Sequence, residues 1–145
     1  MKPIALITGA SSGIGKATAE QIADHYDLIL CGRRTPRLEA LSKVLSNKTQ
    51  VFIGSFDVRD QSAVSHFIDS LPDEWQKISV LINNAGNAHG LSFIHEGDTQ
   101  DWDAMIDINV KGLLYVSRAV IPKMIKEQAG HIINLGSIAG TDVYP

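Results

Sequence analysis

An α/β fold, a doubly wound parallel sheet in three layers with helices on both faces, is predicted for this chain by three observations. Apolar runs at 4–7, 28–31, 51–56, 80–82 and 132–135 are short and nearly continuous, as strands buried on both faces are. Segments with helical spacing separate them by short links, so strand and helix alternate. A glycine-rich turn follows the first run directly, at the carboxyl end of a strand, where open parallel sheets take ligands.

The elements follow in order. After the run 4–7 and the turn, Ile14, Ala17, Thr18 and Ile22 mark a first helix. The run 28–31 is the second strand, and Leu38, Leu41 and Leu45 are the buried stripe of the second helix. Thr35 is read as its cap and Pro36 as a first-turn residue. The run 51–56 leads to Asp60, a cap for a helix carrying Val64, Phe67, Ile68 and Leu71, and Pro72 stops it. Beyond the strand 80–82, the segment 87–98 is the longest irregular stretch, with His89, Gly90, His95 and Gly97. The segment 99–128 then reads as one or two helices, on Trp102, Met105, Ile106, Val110, Leu113, Leu114 and Val120, and Gly130 suits a left-handed cap. The run 132–135 is the fifth strand.

Bulk properties bound the function. With 145 residues and 44% apolar content the chain is one globular domain. Its net charge of -3, from 13 basic and 16 acidic residues, shows no basic excess for nucleic acid or an anionic membrane surface, so a small soluble ligand is expected. Cys31 is the single cysteine, which excludes a disulfide framework and a cysteine metal site and fits a reducing cytoplasm. His25, His66, His89, His95 and His131 lack metal-ligand spacing, so no metal is expected. No segment approaches the ~18 apolar residues of a membrane span.

The turn Thr8-Gly9-Ala10-Ser11-Ser12-Gly13-Ile14-Gly15 carries the first chemistry. Gly9 turns the chain sharply off the strand, Gly13 lets backbone approach a pyrophosphate, and Gly15 lets the helix lie tight on the sheet. The free N–H groups of the helix start then face the anion. The second strand ends in Arg33 and Arg34 with no acid. A ribose 2'-hydroxyl calls for a carboxylate there, whereas a 2'-phosphate calls for positive charge, so the pair favours NADP over NAD.

The glycines at 9, 13 and 15 form T-G-x-x-x-G-I-G, which resembles the signature of the short-chain dehydrogenase/reductase superfamily. Further stretches resemble that superfamily in its order: Asp57-Val58, Asn83-Asn84-Ala85-Gly86, Asp107 to Gly112 around Asn109, and Ile132 to Gly140 around Ser137. The resemblance implies a Rossmann-like sheet in which the turn residues Gly9, Ala10, Ser11, Ser12, Gly13, Ile14 and Gly15 bind the cofactor. It implies that Asp57 and Val58 contact the adenine, that the two asparagines tie the sheet together, and that Asn84, Ala85 and Gly86 run beside the ribose. Asn109 would hold a water in a proton relay. Ser137 would bind the substrate and donate a hydrogen bond to its oxygen as hydride transfer proceeds. Read as bare residues, Asp57 suits a cap or turn and Ser137 a Gly-Ser turn.

Within the superfamily, the stretches 32–38, 70–75 and 101–106 resemble the branch of NADP-dependent 3-hydroxy acid dehydrogenases acting on serine, allo-threonine or 3-hydroxypropionate-like acids. The family's proton donor is a Tyr about 13 residues after the serine, followed four residues later by a Lys. The chain ends short of that position. Tyr144 is too close to Ser137 to fill it and is read as lining the substrate mouth. The chain is therefore expected to be a truncated or partly ordered copy lacking the last strands and helices, with 132–135 left as an apolar edge. The expected whole is a cytoplasmic enzyme working on a small molecule, a dimer or tetramer joined through the 99–128 helices. A non-catalytic dinucleotide-binding regulator, or a reductase of another carbonyl such as a 3-oxoacyl thioester, are the alternatives.

Overall fold

The computed structural model describes residues 2–142 of the chain. Five strands, β1 (Ile4–Thr8), β2 (Asp27–Gly32), β3 (Val51–Ser55), β4 (Ile78–Asn83) and β5 (His131–Asn134), form one parallel sheet in the order β3-β2-β1-β4-β5. The order reverses between β1 and β4, and the crevice of such a sheet opens there, beyond the strands' carboxyl ends.

Alternation along the strands divides the core into two layers. Ile4 and Leu6 of β1 with Ile29 and Cys31 of β2 face one side, where Val64 and Ile68 of α3 (Gln61–Asp69) and Val116 and Val120 of α5 (Leu113–Glu127) pack. Ala5 and Ile7 with Leu28 and Leu30 face the other, against Ala19 of α1 (Gly13–Ile22) and Leu38, Leu41 and Leu45 of α2 (Thr35–Leu45). Every residue of β1 is buried, which is why its sequence shows no polar alternation. β5 is the exposed edge on the β4 side, with Ile132 and Ile133 reaching the surface.

Two local features depart from the sequence reading, and the long helical region gains a π turn between its two helices. Thr35 does not cap α2: Arg34 holds the cap position without a side-chain bond, and the Thr35 hydroxyl instead meets the Ser55 hydroxyl at 2.6 Å. The left-handed residue ending α5 is Gln128, at φ 53°, and Ala129 donates to the Met124 carbonyl to close the end. Gly130 serves packing, since a Cβ there would lie 2.5 Å from Met124 Sδ. The long helical region is α4 (Thr99–Ile106), a π-helical segment Asp107–Gly112, and α5. Asp60 caps α3 as read, accepting from Ala63 N–H at 3.0 Å.

Candidate functional site: a cleft at the strand ends

The glycine turn has the backbone its sequence requires. Gly9 and Gly13 stand at φ 65° and 54°, in the left-handed region open to glycine. Ser12 occupies the N-cap of α1 with no side-chain capping bond, so the helix's first N–H groups remain open toward the cleft. Gly15 lets α1 seat on the strand end: a Cβ would stand 2.5 Å from the Gly9 carbonyl oxygen and 2.4 Å from Asn84 Nδ2.

Thr8 and Asn84 lock this turn from beneath. The buried Thr8 hydroxyl accepts from Asn84 N–H at 3.1 Å and Ala85 N–H at 3.0 Å. Asn84 Nδ2 answers by donating to the carbonyls of Thr8 at 2.9 Å and Gly9 at 3.2 Å. Asn83 joins the next strand, its Nδ2 donating to Asn134 Oδ1 at 2.9 Å and Ser117 Oγ at 3.0 Å.

Positive charge lines one rim. Arg34 crosses from β2 to the turn, its Nη2 donating to Ser12 Oγ at 2.7 Å and to Ser11 Oγ at 3.0 Å. Arg33 extends beside Asp57, with Nη1 3.8 Å from Oδ2. Asp57 is gripped by Arg59, whose Nη2 lies 2.7 Å from Oδ2. The Arg59 guanidinium hydrogen bonds hold the Asp57 carboxyl below the usual carboxylate range, against the opposing effect of its partial burial, and Arg33 adds a smaller pull in the same direction.

At the other end, the π-helical segment presents Asn109. Single π turns inside helices recur where a side chain must be aimed. The Asn109 amide engages the backbone of Asn87, and a Cβ on Gly86 would lie 3.0 Å from its Oδ1. Ser137 follows β5 and accepts from Ala139 N–H at 3.1 Å, capping a 3-10 turn at Ile138–Gly140.

These parts enclose one cleft of about 700 Å³. It brings together Gly9, Ser11, Ser12, Gly13 and Ile14 of the turn with Arg33, Arg34, Asp57 and Val58 of the rim, and Asn84, Ala85, Gly86, Asn109 and Ser137 beyond them. Ala10 and Gly15, read as cofactor-binding, do not line it. Ala10 is fully buried with its N–H given to the Cys31 carbonyl, and Gly15 is enclosed between Gly9 and Asn84, so both shape the cradle from behind. Tyr144 lies outside the described residues. Two residues in contact with the site's side chains escaped the sequence reading. Arg59 was signalled by its place two residues after Asp57, and Asn87, a lining residue, by following Gly86 directly. The volume falls in the range of small-molecule sites. Open helix N–H groups and two guanidinium groups suit an extended ligand with several phosphates.

A family model described as short chain dehydrogenase matches residues 3–145. Sulfoacetaldehyde reductase 2 of Chromohalobacter salexigens is 46% identical over 147 aligned positions, covering 100% of this chain and 58% of that protein. The NADP-dependent 3-hydroxy acid dehydrogenase of Escherichia coli K12 is 43% identical over 142 positions, covering 97% of this chain and 56% of that protein. The closed form of serine dehydrogenase complexed with NADP+ superposes with a TM-score of 0.92 at 42% identity, over 97% of this chain and 56% of that one. The chain thus spans little more than half the length of these relatives. It belongs to the short chain dehydrogenase family.

Proposed function

We propose that this chain is the NADP-binding domain of an oxidoreductase that moves hydride between a nicotinamide and a small 3-hydroxy acid or a related alcohol or carbonyl compound. The observation that carries the reading is Arg34 bridging Ser11 and Ser12, which places a guanidinium and two hydroxyls together where the rim meets the phosphate turn. A 2'-phosphate there would replace two neutral acceptors with a dianion, and one charge-assisted hydrogen bond is worth roughly 1.5–3 kcal/mol, or about ten- to a hundredfold in affinity. Three relatives support it: one named as NADP-dependent, one as a sulfoacetaldehyde reductase, and one bound to NADP+.

Bound NADP would supply the hydride acceptor or donor at nicotinamide C4. The residues of this chain divide the remaining work. The open N–H groups of α1 and the turn Gly9 to Gly13 would hold the diphosphate, Arg33 and Arg34 would hold the 2'-phosphate, and Asp57 with Val58 would bound the adenine end. Asn84, Ala85 and Gly86 run along the ribose. Ser137, at the far end of the cleft, directs its hydroxyl to the substrate oxygen and stabilises the charge that changes there. Asn109 organises the adjoining backbone and would hold a water of a proton relay.

We place the protein in the cytoplasm, as a dimer or tetramer. Among the described residues no helix is long and apolar enough to cross a membrane, and the exposed Ile106, Val110, Leu114, Ile121 and Ile125 of the α4 to α5 region support association.

Steady-state oxidation of a panel of 3-hydroxy acids by the full-length protein, with NADP and NAD in parallel, tests the reading. NADP should be preferred, and Arg34→Ala should remove most of that preference. Equal rates with NAD would overturn the cofactor assignment, and dinucleotide binding without turnover of any alcohol or carbonyl would favour a binding module over an enzyme.

A further inference from the structure

Asp57 is the acidic group of the cleft rim, and two guanidinium groups reach the same oxygen of it. Arg59 holds it firmly: Nη2 lies 2.7 Å from Oδ2, Nε lies 3.1 Å from each oxygen, and the backbone N–H donates to Oδ1 at 3.0 Å. Arg33 stands 3.8 Å from Oδ2, beyond hydrogen-bond distance. Arg33 lines the cleft, whereas Arg59 does not.

Chain geometry enforces this order. The turn after β3 closes through Asp60 N–H to the Asp57 carbonyl at 3.0 Å, and Asp60 then caps α3. Val58, between the two partners, packs on Gly112, where a Cβ would come within 2.6 Å of its Cγ2. Asp107, the acid that also acts on Arg59 from the neighbouring π-helical segment, is occupied by Lys111 Nζ at 2.7 Å. Arg59 is therefore committed to Asp57.

We propose that Arg59 is a positioning residue for cofactor selection: by occupying Asp57 it keeps Arg33 available for the 2'-phosphate of the dinucleotide. The inference rests on the NADP reading above. Without Arg59, the Asp57 carboxylate draws Arg33 into a close pair and leaves less positive charge to meet a ligand phosphate. Both effects act on a ligand with a 2'-phosphate. A ligand with a free 2'-hydroxyl has no charge at that position to feel either of them.

Calorimetric titration of the full-length protein with 2',5'-ADP and with 5'-AMP, at one fixed salt concentration, reads this directly. The native protein should favour 2',5'-ADP. Arg59→Ala should weaken 2',5'-ADP by about tenfold and 5'-AMP by less than about threefold, the scale of one charge-assisted hydrogen bond. Adding Asp57→Asn to Arg59→Ala should return most of the lost ratio, an outcome that a general loosening of the turn does not produce. Arg59→Gln carries the same comparison if the alanine variant fails to fold. An unchanged ratio in a folded Arg59 variant, or a lost ratio that Asp57→Asn leaves lost, overturns the role of Arg59 while the NADP reading stands. Equal affinity of the native protein for the two probes overturns the NADP reading itself.

Discussion

The side-chain amide of Asn109 grips the backbone of Asn87 from both sides, Nδ2 donating to its carbonyl at 2.8 Å and Oδ1 accepting from its N–H at 2.9 Å. The loop that begins there carries the exposed Leu91, Phe93 and Ile94, so this pair is the first fixed point of a segment with little burial of its own. Asn109→Ala removes both bonds and leaves the Asn87 N–H without its acceptor. That replacement should weaken the anchor by about 1–3 kcal/mol. The Asn87 amide should then exchange with solvent faster, and unchanged protection would show that the loop is held elsewhere.

Thr8→Val leaves the Asn84 and Ala85 N–H groups without their acceptor in a buried place. Each such group costs about 1–3 kcal/mol, so a loss of about 2–6 kcal/mol is expected in urea unfolding. Thr8→Ser should recover most of it. Equal losses in both variants would assign the effect to the methyl group instead.

Gly15→Ala pushes a methyl group against the Gly9 carbonyl, a rigid backbone atom, at 2.5 Å. Destabilisation of about 1–3 kcal/mol is expected, with α1 displaced from the turn. Gly136→Ala meets nothing within 4 Å and should change stability by less than about 0.5 kcal/mol. Denaturant midpoints of the two variants decide the contrast.

The lowered pKa of Asp57 gives a pH dependence of defined sign. The native state binds fewer protons at this group than the unfolded chain does, so its contribution is full above the unfolded carboxylate value and is lost as pH falls through the lower native one. Because Asp57 is only partly buried and its arginine partners are exposed, the contribution is that of a surface pair, about 0.2–1 kcal/mol. Asp57→Asn should therefore flatten the loss of stability below about pH 4, with a difference from the native protein that shrinks in high salt. Parallel curves for the two proteins through that window would remove Asp57 from the account.

Cys31 is fully buried within β2, and burial pushes its thiol pKa far up. Thiolate is the reactive form, so a thiol-specific reagent at pH 8 should label the native protein only as fast as the chain opens. Rapid labelling that precedes any change in circular dichroism would contradict this placement.

The strands were legible because β1 and β2 are buried on both faces and so consist of unbroken apolar residues. Asp60 was legible as a cap because, among the described residues, its carboxylate serves the helix end alone, whereas Thr35 was not, since its hydroxyl is spent on Ser55 across the sheet's end. Gln128 takes a left-handed backbone that local propensity assigns to the nearby Gly130, because Met124 fills the space a side chain at 130 would need. In the cleft, most residues of the contiguous motifs named through the family resemblance come together. Arg59 could not be read in that way, because its part depends on which of two arginines reaches one carboxylate oxygen. Asn87 depends likewise on a π turn that aims Asn109 at it.

Of the five strands, the central β1 precedes the others in the chain and is paired on both edges only once β4 has formed. β1 can pair with β2 as soon as α1 has formed between them, yet its other edge waits until β4 emerges, with Ile78 opposite Ile4 and Ile82 opposite Ile7. The Asn84 amide that steadies the Thr8 and Gly9 carbonyls arrives only after β4. A nascent chain on the ribosome thus carries an unfinished phosphate turn until β4 is made, and the strand that gives β1 its second partner is the same one that brings the asparagine steadying that turn.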